Sequence, residues 1–275
     1  MATVIIPAHN ESKVILGCLE SVTKQHGVDK IIVACNGCID DTVSKVRSIN
    51  DERIVCLEID IPSKVNALNE ARKVVDSWPI FYIDADTQLG DNCVTTVSEG
   101  MQESNYLLAA PEPVIELSES SWLVRQYYRI WLKLPYVTSG IISTCSYVLS
   151  YEGSSRFKVF PDVIADDAFI RGQFSLSERG NINGATIKIK APLDYLSLIK
   201  IKTRARLGNV ELKARNLEAY SDPKHHSTVF LRLLMSRDFV PATIYVLTNF
   251  VIRLRAKLQY RNISNYEWEV DHSTR

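Results

Sequence analysis

The chain has 275 residues, enough to bury a substantial core as one large domain or as one domain with an appendage. Lys plus Arg and Asp plus Glu balance at 32 each, which argues against a general nucleic-acid binder. The six cysteines stand at 18, 35, 38, 56, 93 and 145; Cys35 and Cys38 have no second such pair to complete a zinc site, and without a disulfide framework the compartment reads as reducing.

Read in order, the first half alternates strands and helices. Thr3-Val4-Ile5-Ile6 is an apolar strand entered directly from Met1, without a basic or long apolar leader, and it runs into the polar turn Pro7-Ala8-His9-Asn10-Glu11. Ser12 to Lys24 follows as a helix with Val14, Ile15, Leu19 and Val22 on one face. Lys30 to Ala34 is a second buried strand ending at Cys35-Asn36-Gly37-Cys38, after which Asp40-Asp41-Thr42 supplies cap residues for a helix to about Ile49. Arg53 to Ile59 is a third strand, Lys64 to Val75 a third helix and Ile80 to Ile83 a fourth strand. Such spacing means right-handed βαβ units and a parallel sheet. No G-x-G-x-x-G or P-loop pattern follows the first strand, so a nucleotide would be held by side chains and helix amino termini instead of a glycine cradle.

Further on, Asp91 to Met101 reads as a helix and Tyr106 to Ala110 as a strand. Ser118 to Leu134 is a long helix whose Trp122, Tyr127, Tyr128 and Trp131 are expected in the core. Gly140 to Ser150 is β-rich, Tyr151 to Arg156 a loop, and Ala168 to Gln173 a helix that Asp166 could cap. Lys200, Lys202, Arg204 and Arg206 put four basic residues in seven positions. From Leu231 to Leu258 the chain is apolar, with basic residues concentrated after Ile252. Phe239 to Leu254 is broken by Pro241, Asn249 and Arg253, short of the roughly 20 apolar residues of a membrane span. That tail is either a solvated helical bundle or a basic, amphipathic surface lying on anionic lipid.

The centre of the chain is Phe81-Tyr82-Ile83-Asp84-Ala85-Asp86, an apolar strand that ends in two carboxylates one residue apart. Open α/β sheets hold their ligands at such carboxyl ends. Two acids there repel, and magnesium or manganese shared with a substrate's phosphates would relieve them; the plain alternative is a solvated acidic turn. A second acid pair, Asp166-Asp167, follows in an apolar setting.

Taken in order, Pro7 to Glu11, Asn36 to Thr42, Lys64-Val65-Asn66-Ala67-Leu68-Asn69, Asp84-Ala85-Asp86 and Asp166-Asp167 resemble family 2 glycosyltransferases, which have the GT-A fold and use a nucleotide sugar. The resemblance covers roughly residues 2 to 210. It implies an α/β GT-A domain over 1–210, Rossmann-like with a mostly parallel central sheet flanked by helices, and a helical C-terminal extension over 211–275 that touches a membrane surface or an oligomer partner. The expected activity is inverting transfer of a single sugar to an acceptor hydroxyl in polysaccharide or glycolipid synthesis, in the cytoplasm or at the inner face of the membrane. The donor would be a UDP-sugar, with a GDP-sugar as the alternative, and the acceptor a glycan, a lipid-linked or a small molecule.

By the same resemblance Asp167 is the general base with Asp166 supporting, and Asp86 with Asp84 holds Mn2+ or Mg2+. Pro7, Ala8, His9, Glu11, Asn36, Asp41, Lys64, Asp84, Ala85, Arg204 and Arg206 would surround the nucleotide. A base partly desolvated by Phe160, Val163 and Ile164 would have a raised pKa. Three departures stand out: Asn36 where relatives commonly have aspartate, Ser63 where glycine is usual, and no QxxRW motif near Arg206. The last favours single addition. His225 or His226 is a candidate third metal ligand. The competing readings are a nucleotidyltransferase, which would need a glycine-rich, Arg-containing first loop, and a non-catalytic scaffold, against which the four acids count.

Overall fold

The computed structural model describes residues 1–134, 137, 145–220 and 237–263. Strands β1 (Ala2–Ala8), β2 (Val28–Asn36), β3 (Ile54–Ile59) and β4 (Ile80–Ile83) are parallel neighbours. With β5 (Thr87–Leu89), β6 (Leu108–Glu116), β7 (Ser146–Leu149) and β8 (Arg179–Lys190) they form one sheet in the order β3-β2-β1-β4-β7-β6-β8-β5. The second half is mixed: β7 is antiparallel to both β4 and β6, and β8 runs parallel to β6.

Strand β1 is buried along its whole length, so both its faces are apolar and its residues divide between two cores. Val4, Ile6 and Ala8 join Val33 and Phe81 beneath α1 (Ile15–Thr23) and α4 (Cys93–Ser104), which supply Leu19 and Val97. Ile5 points the other way, to Ile32, Tyr82, Leu68 of α3 (Lys64–Arg72) and Phe169 of α7 (Asp166–Gly172). Each such side chain contributes about 1.5–3 kcal/mol on burial, which fixes the register of the central strands. Helix α2 (Thr42–Arg47) covers the β2–β3 edge.

A third core lies outside the sheet. In it α5 (Trp122–Trp131) packs against α8 (Tyr195–Ala214) and α9 (Phe239–Tyr260) through Tyr127, Tyr128, Trp131, Leu198, Ala242 and Tyr245. Tyr127 stacks on Tyr245 with centroids 4.9 Å apart, and Asp238 ahead of α9 pairs with Arg129 and Lys133 of the α5 region. Helix α8 runs without interruption across position 210. By length and composition alone α9 is long and apolar enough to cross a membrane, yet one of its faces is packed into this core.

Several expectations change. Strands β5 and β8 stand outside the sequence reading; β8 carries Gly180 and Gly184, which weaken its local strand signal, and its place comes from the partner β6. Tyr151–Ser155 is a helical turn, α6, and not a loop, because the Ser150 hydroxyl caps it by accepting from the Gly153 N–H at 3.0 Å. Asp166 does not cap α7: Ala165 holds the cap position and Asp166 lies in the first turn with its carboxylate turned elsewhere. Three of the four aromatics of α5 are buried as expected, whereas Trp122 is 54% exposed. His225 and His226 lie outside the described residues, as does most of the stretch from Gly140 to Cys145.

Candidate active site

Strands β1, β2 and β4 deliver their carboxyl ends to one edge of the sheet, and the loops leaving them are tied to one another. Asp40 is the knot. Its carboxylate accepts from the Ser12 N–H at 3.1 Å, the Thr42 N–H at 3.0 Å and the Thr42 hydroxyl at 2.5 Å. Burial opposes its charge, but these hydrogen bonds outweigh it and hold the carboxyl down to about 2. The Thr42 hydroxyl also accepts from the Glu11 N–H at 2.8 Å. Asn36 is buried, and its amide donates to the carbonyls of Ala8 and Ala34 at 2.9 and 3.3 Å. His9 returns to the Asn36 carbonyl with its Nδ1 at 2.5 Å. Asp41 is exposed at the start of α2.

Helix α3 begins with Ser63 as its cap, the hydroxyl accepting from the Asn66 N–H at 3.2 Å. A serine at this position thus does local work that glycine would not. Lys64, the first residue of that helix, reaches across the strand ends. Its ammonium lies 2.9 Å from Asp84 Oδ1 and 3.1 Å from Asp166 Oδ1, bridging the two acid motifs. Burial opposes its charge, yet Asp166 and Asp84 outweigh that and keep its pKa above the ordinary lysine value. The Tyr147 hydroxyl faces the other oxygen of Asp166 at 3.3 Å, and its ring stacks on Tyr82 at 4.7 Å. Asp84 is fixed through its backbone: its N–H donates to the Cys145 carbonyl, and its own carbonyl accepts from the Thr87 N–H and hydroxyl.

The two acids of α7 are inequivalent. Asp166 is 4% exposed, with its oxygens facing Lys64 and Tyr147. Asp167 is the more open of the pair, and one of its oxygens accepts from the Ala168 N–H at 2.7 Å. Burial, then the charge of Asp166, push the Asp167 carboxyl above its ordinary value; Lys64, Arg171 and that N–H pull the other way. Helix α8 braces the acid loop from behind. Glu211 accepts from the Ile164 N–H at 2.9 Å, and Gly208 lies so close to Ala165 that a Cβ there would come within 2.5 Å of the Ala165 methyl.

A cavity of about 960 Å³ runs from this edge to the helical core. Pro7, Lys64, Asp84, Asp166, Asp167, Arg204 and Arg206 line it, whereas Ala8, His9, Glu11, Asn36, Asp41, Ala85 and Asp86 do not. Sequence reasoning missed Tyr147, Arg171 and Glu211, and read Asp40 only as a cap residue. Arg171 had a signal, being one helical turn after Asp167; Tyr147 and Glu211 had none, since only the fold brings Tyr147 to Asp166 and Glu211 to the Ile164 N–H.

Among the described residues no three His, Cys, Asp or Glu side chains converge as a metal cage. Asp84 and Asp86 nevertheless suit a hard divalent ion of the kind that takes one or two carboxylates and completes its shell with substrate phosphates. The Lys64 ammonium stands against Asp84, so that carboxylate already has a cationic partner.

Solved structures share this architecture. Over 97% of this chain and 76% of the other, it superimposes on the mannosyltransferase PcManGT from Pyrobaculum calidifontis, solved in complex with GDP-Man and Mn2+, with a TM-score of 0.64 and 17% identity. S. aureus TarS 1-349 in complex with UDP-GlcNAc matches with a TM-score of 0.57 and 14% identity over 99% and 95% of the two chains. Glucosyl-3-phosphoglycerate synthase from Mycobacterium tuberculosis, in complex with Mn2+, UDP and phosphoglyceric acid, gives 0.52 and 16% over 78% of each. These likenesses show the GT-A fold. No curated protein matches the sequence significantly. Residues 3–149, more than half of the chain, match the glycosyl transferase family 2 model, and the chain belongs to that family of transferases.

Proposed function

We propose that the protein transfers a single sugar from a nucleoside-diphosphate sugar to an acceptor hydroxyl, with inversion at the anomeric carbon and Asp167 as general base. The observation that carries this reading is the inequality of the acid pair. Asp166 has its oxygens facing Lys64 and Tyr147, while Asp167 is more open, has a raised pKa and lines the same cavity as Lys64 and Asp84. A carboxylate raised in this way suits proton abstraction near neutrality. One base facing the acceptor, with the leaving group on the opposite side, gives one displacement and hence inversion.

Asp84 and Asp86 are the proposed holders of Mn2+ or Mg2+, which when bound neutralises charge on the leaving diphosphate. The presence of Mn2+ in the complexes of PcManGT and the mycobacterial synthase supports this assignment. Lys64 orients Asp84 and Asp166 together, and a donor phosphate offers it a third anionic partner. The loops of Pro7, Ala8, His9, Glu11, Asn36 and Asp41 are the proposed wall for the nucleoside, with Arg204 and Arg206 closing over the diphosphate. Because the Asn36 amide holds the carbonyls of Ala8 and Ala34 at the ends of β1 and β2, we assign it a role in shaping the nucleoside site through the backbone. We favour a UDP-sugar, with a GDP-sugar as the alternative; relatives of this fold bind each. The product belongs to polysaccharide or glycolipid synthesis.

The test is incubation with Mn2+ and individual nucleotide sugars, following slow donor hydrolysis and the thermal shift with UDP and GDP. Turnover of one donor and a shift with its nucleoside diphosphate are expected. No turnover with any donor, together with no shift, would overturn the reaction.

A further inference from the structure

The cavity's helical end holds a cation that no acid among the described residues answers. Lys202 of α8 sets its Nζ 4.4 Å from the ring centroid of Trp131, 5.1 Å from Tyr128 and 6.0 Å from Tyr127, three rings carried by α5. Among the described residues it makes no ion pair, unlike Lys64 at the opposite end, which has two. Ring faces attract an ammonium but do not replace the full hydration that it loses. Burial accordingly draws the Lys202 pKa down to about 8, with the nearby Cys145 thiol acting weakly in the other direction.

Lys202 also lines the cavity that contains Asp166 and Asp167, so it faces a space that a substrate enters and not sealed core. The wall beside it is apolar: Leu134, Tyr245, Val246 and Phe250. Val246 is 45% and Phe250 66% exposed, and on α9 they continue into the exposed side chains of Leu247, Val251, Leu254 and Leu258. The cavity therefore opens along an apolar helix face that also bears exposed Arg253 and Lys257. A small polar acceptor would leave that wall unused, and a neutral lipid would leave Lys202 unanswered.

We propose that Lys202 and the Tyr127–Tyr128–Trp131 box form an anion subsite for the acceptor, which bears a phosphoryl group on an apolar chain lying along Val246 and Phe250. This rests on the reading of the cavity as the transferase site. It adds the acceptor's charge and its amphiphilic character, and it assigns the exposed face of α9 to the chain-bearing side of an anionic lipid surface.

The experiment is calorimetric titration with octyl phosphate, octanol and inorganic phosphate, each below any micellar concentration, against the full chain and its variants. Octyl phosphate should bind about tenfold or more tightly than either octanol or inorganic phosphate, as expected for a charge-assisted contact added to apolar burial. Lys202→Gln should erase the preference for octyl phosphate over octanol, whereas Lys202→Arg keeps it. Phe250→Ser should weaken octyl phosphate and octanol alike and leave that preference intact, which tests the chain path even if Lys202→Gln does not fold. Equal affinity for octyl phosphate and octanol, a preference that survives in Lys202→Gln, or inorganic phosphate binding as tightly as octyl phosphate would overturn the subsite. Binding of UDP and GDP is measured in parallel, so that its failure speaks against the transfer reaction and not against this subsite.

Discussion

The two ends of the cavity treat charge in opposite ways. At the sheet edge charges meet partners: Lys64 sits between Asp84 and Asp166, Tyr147 faces Asp166, and Asp40 gathers the donors of Ser12 and Thr42. At the helical end Lys202 has aromatic faces and no carboxylate among the described residues. A buried charge left unpaired is costly, so the two ends are prepared for different guests. The edge, where Lys64 stands among acids, is in our proposal the place for a ligand that brings both signs of charge, a diphosphate together with a divalent ion. At the helical end Lys202 has no acid partner among the described residues, which in our proposal suits an anion.

The contrast can be broken most severely at Asp167. Asp167→Asn should lower kcat by about 10²–10⁴-fold, the range for losing a general base, while the donor Kd measured by titration stays within a few-fold. Loss of donor binding together with activity would remove Asp167 from the base role.

A smaller effect is expected at the clasp. Lys64→Met strands two carboxylates, one of them nearly enclosed, and should cost about 3 kcal/mol of stability in a denaturant titration, at the low end for a broken buried pair because Asp84 is partly solvated. The double variant Lys64→Met/Asp166→Asn should recover part of that loss. Equal stability of wild type and Lys64→Met would show that the bridge is only a surface contact.

The brace behind the acid loop comes next. Gly208→Val drives a side chain into Ala165 and should cost about 1–3 kcal/mol by overpacking. Activity should fall more than stability alone explains, measured as kcat at a temperature where the variant remains folded, because the displaced segment leads directly into Asp166 and Asp167.

The mildest test is pH. The Asp167 carboxyl is raised above its ordinary value of 3.8, so its protonation removes the base as pH falls, and the acid limb of kcat/KM should lie above the ordinary aspartate range. Ligand-free stability should move the other way. A carboxyl with a raised folded-state pKa favours the folded protein below its unfolded value, and that contribution is lost as pH rises through the folded value. Ionised Asp167 is therefore a cost near neutrality, and Asp167→Asn should raise the Tm of the ligand-free protein in a thermal scan.

Much of the parallel half was legible without coordinates because its signals are local. Apolar runs such as Ile80 to Ile83 have no reason to lie anywhere but in a core, and the polar turns between them mark the sheet's functional edge. The second half was less legible. Strand β8 is specified by β6 beside it, and the turn at Tyr151 by one hydroxyl cap, neither of which appears as periodicity. Arg204 and Arg206 were singled out as a basic run with Lys202 counted only as a member of it, although Lys202 alone is boxed by the rings of α5.

What the sequence determined by itself is the order of strands and helices through β4, the family, and the spacing of the two acid pairs, because chain order, apolar burial and carboxylate spacing are properties of neighbouring residues. What only the tertiary structure decided is how those charges are shared. That Lys64 joins Asp84 to Asp166, that Asp166 is enclosed while Asp167 is half-buried, and that Lys202 faces the rings of α5 all depend on elements far apart in the chain meeting in one cavity, where desolvation and distance set what each charge costs.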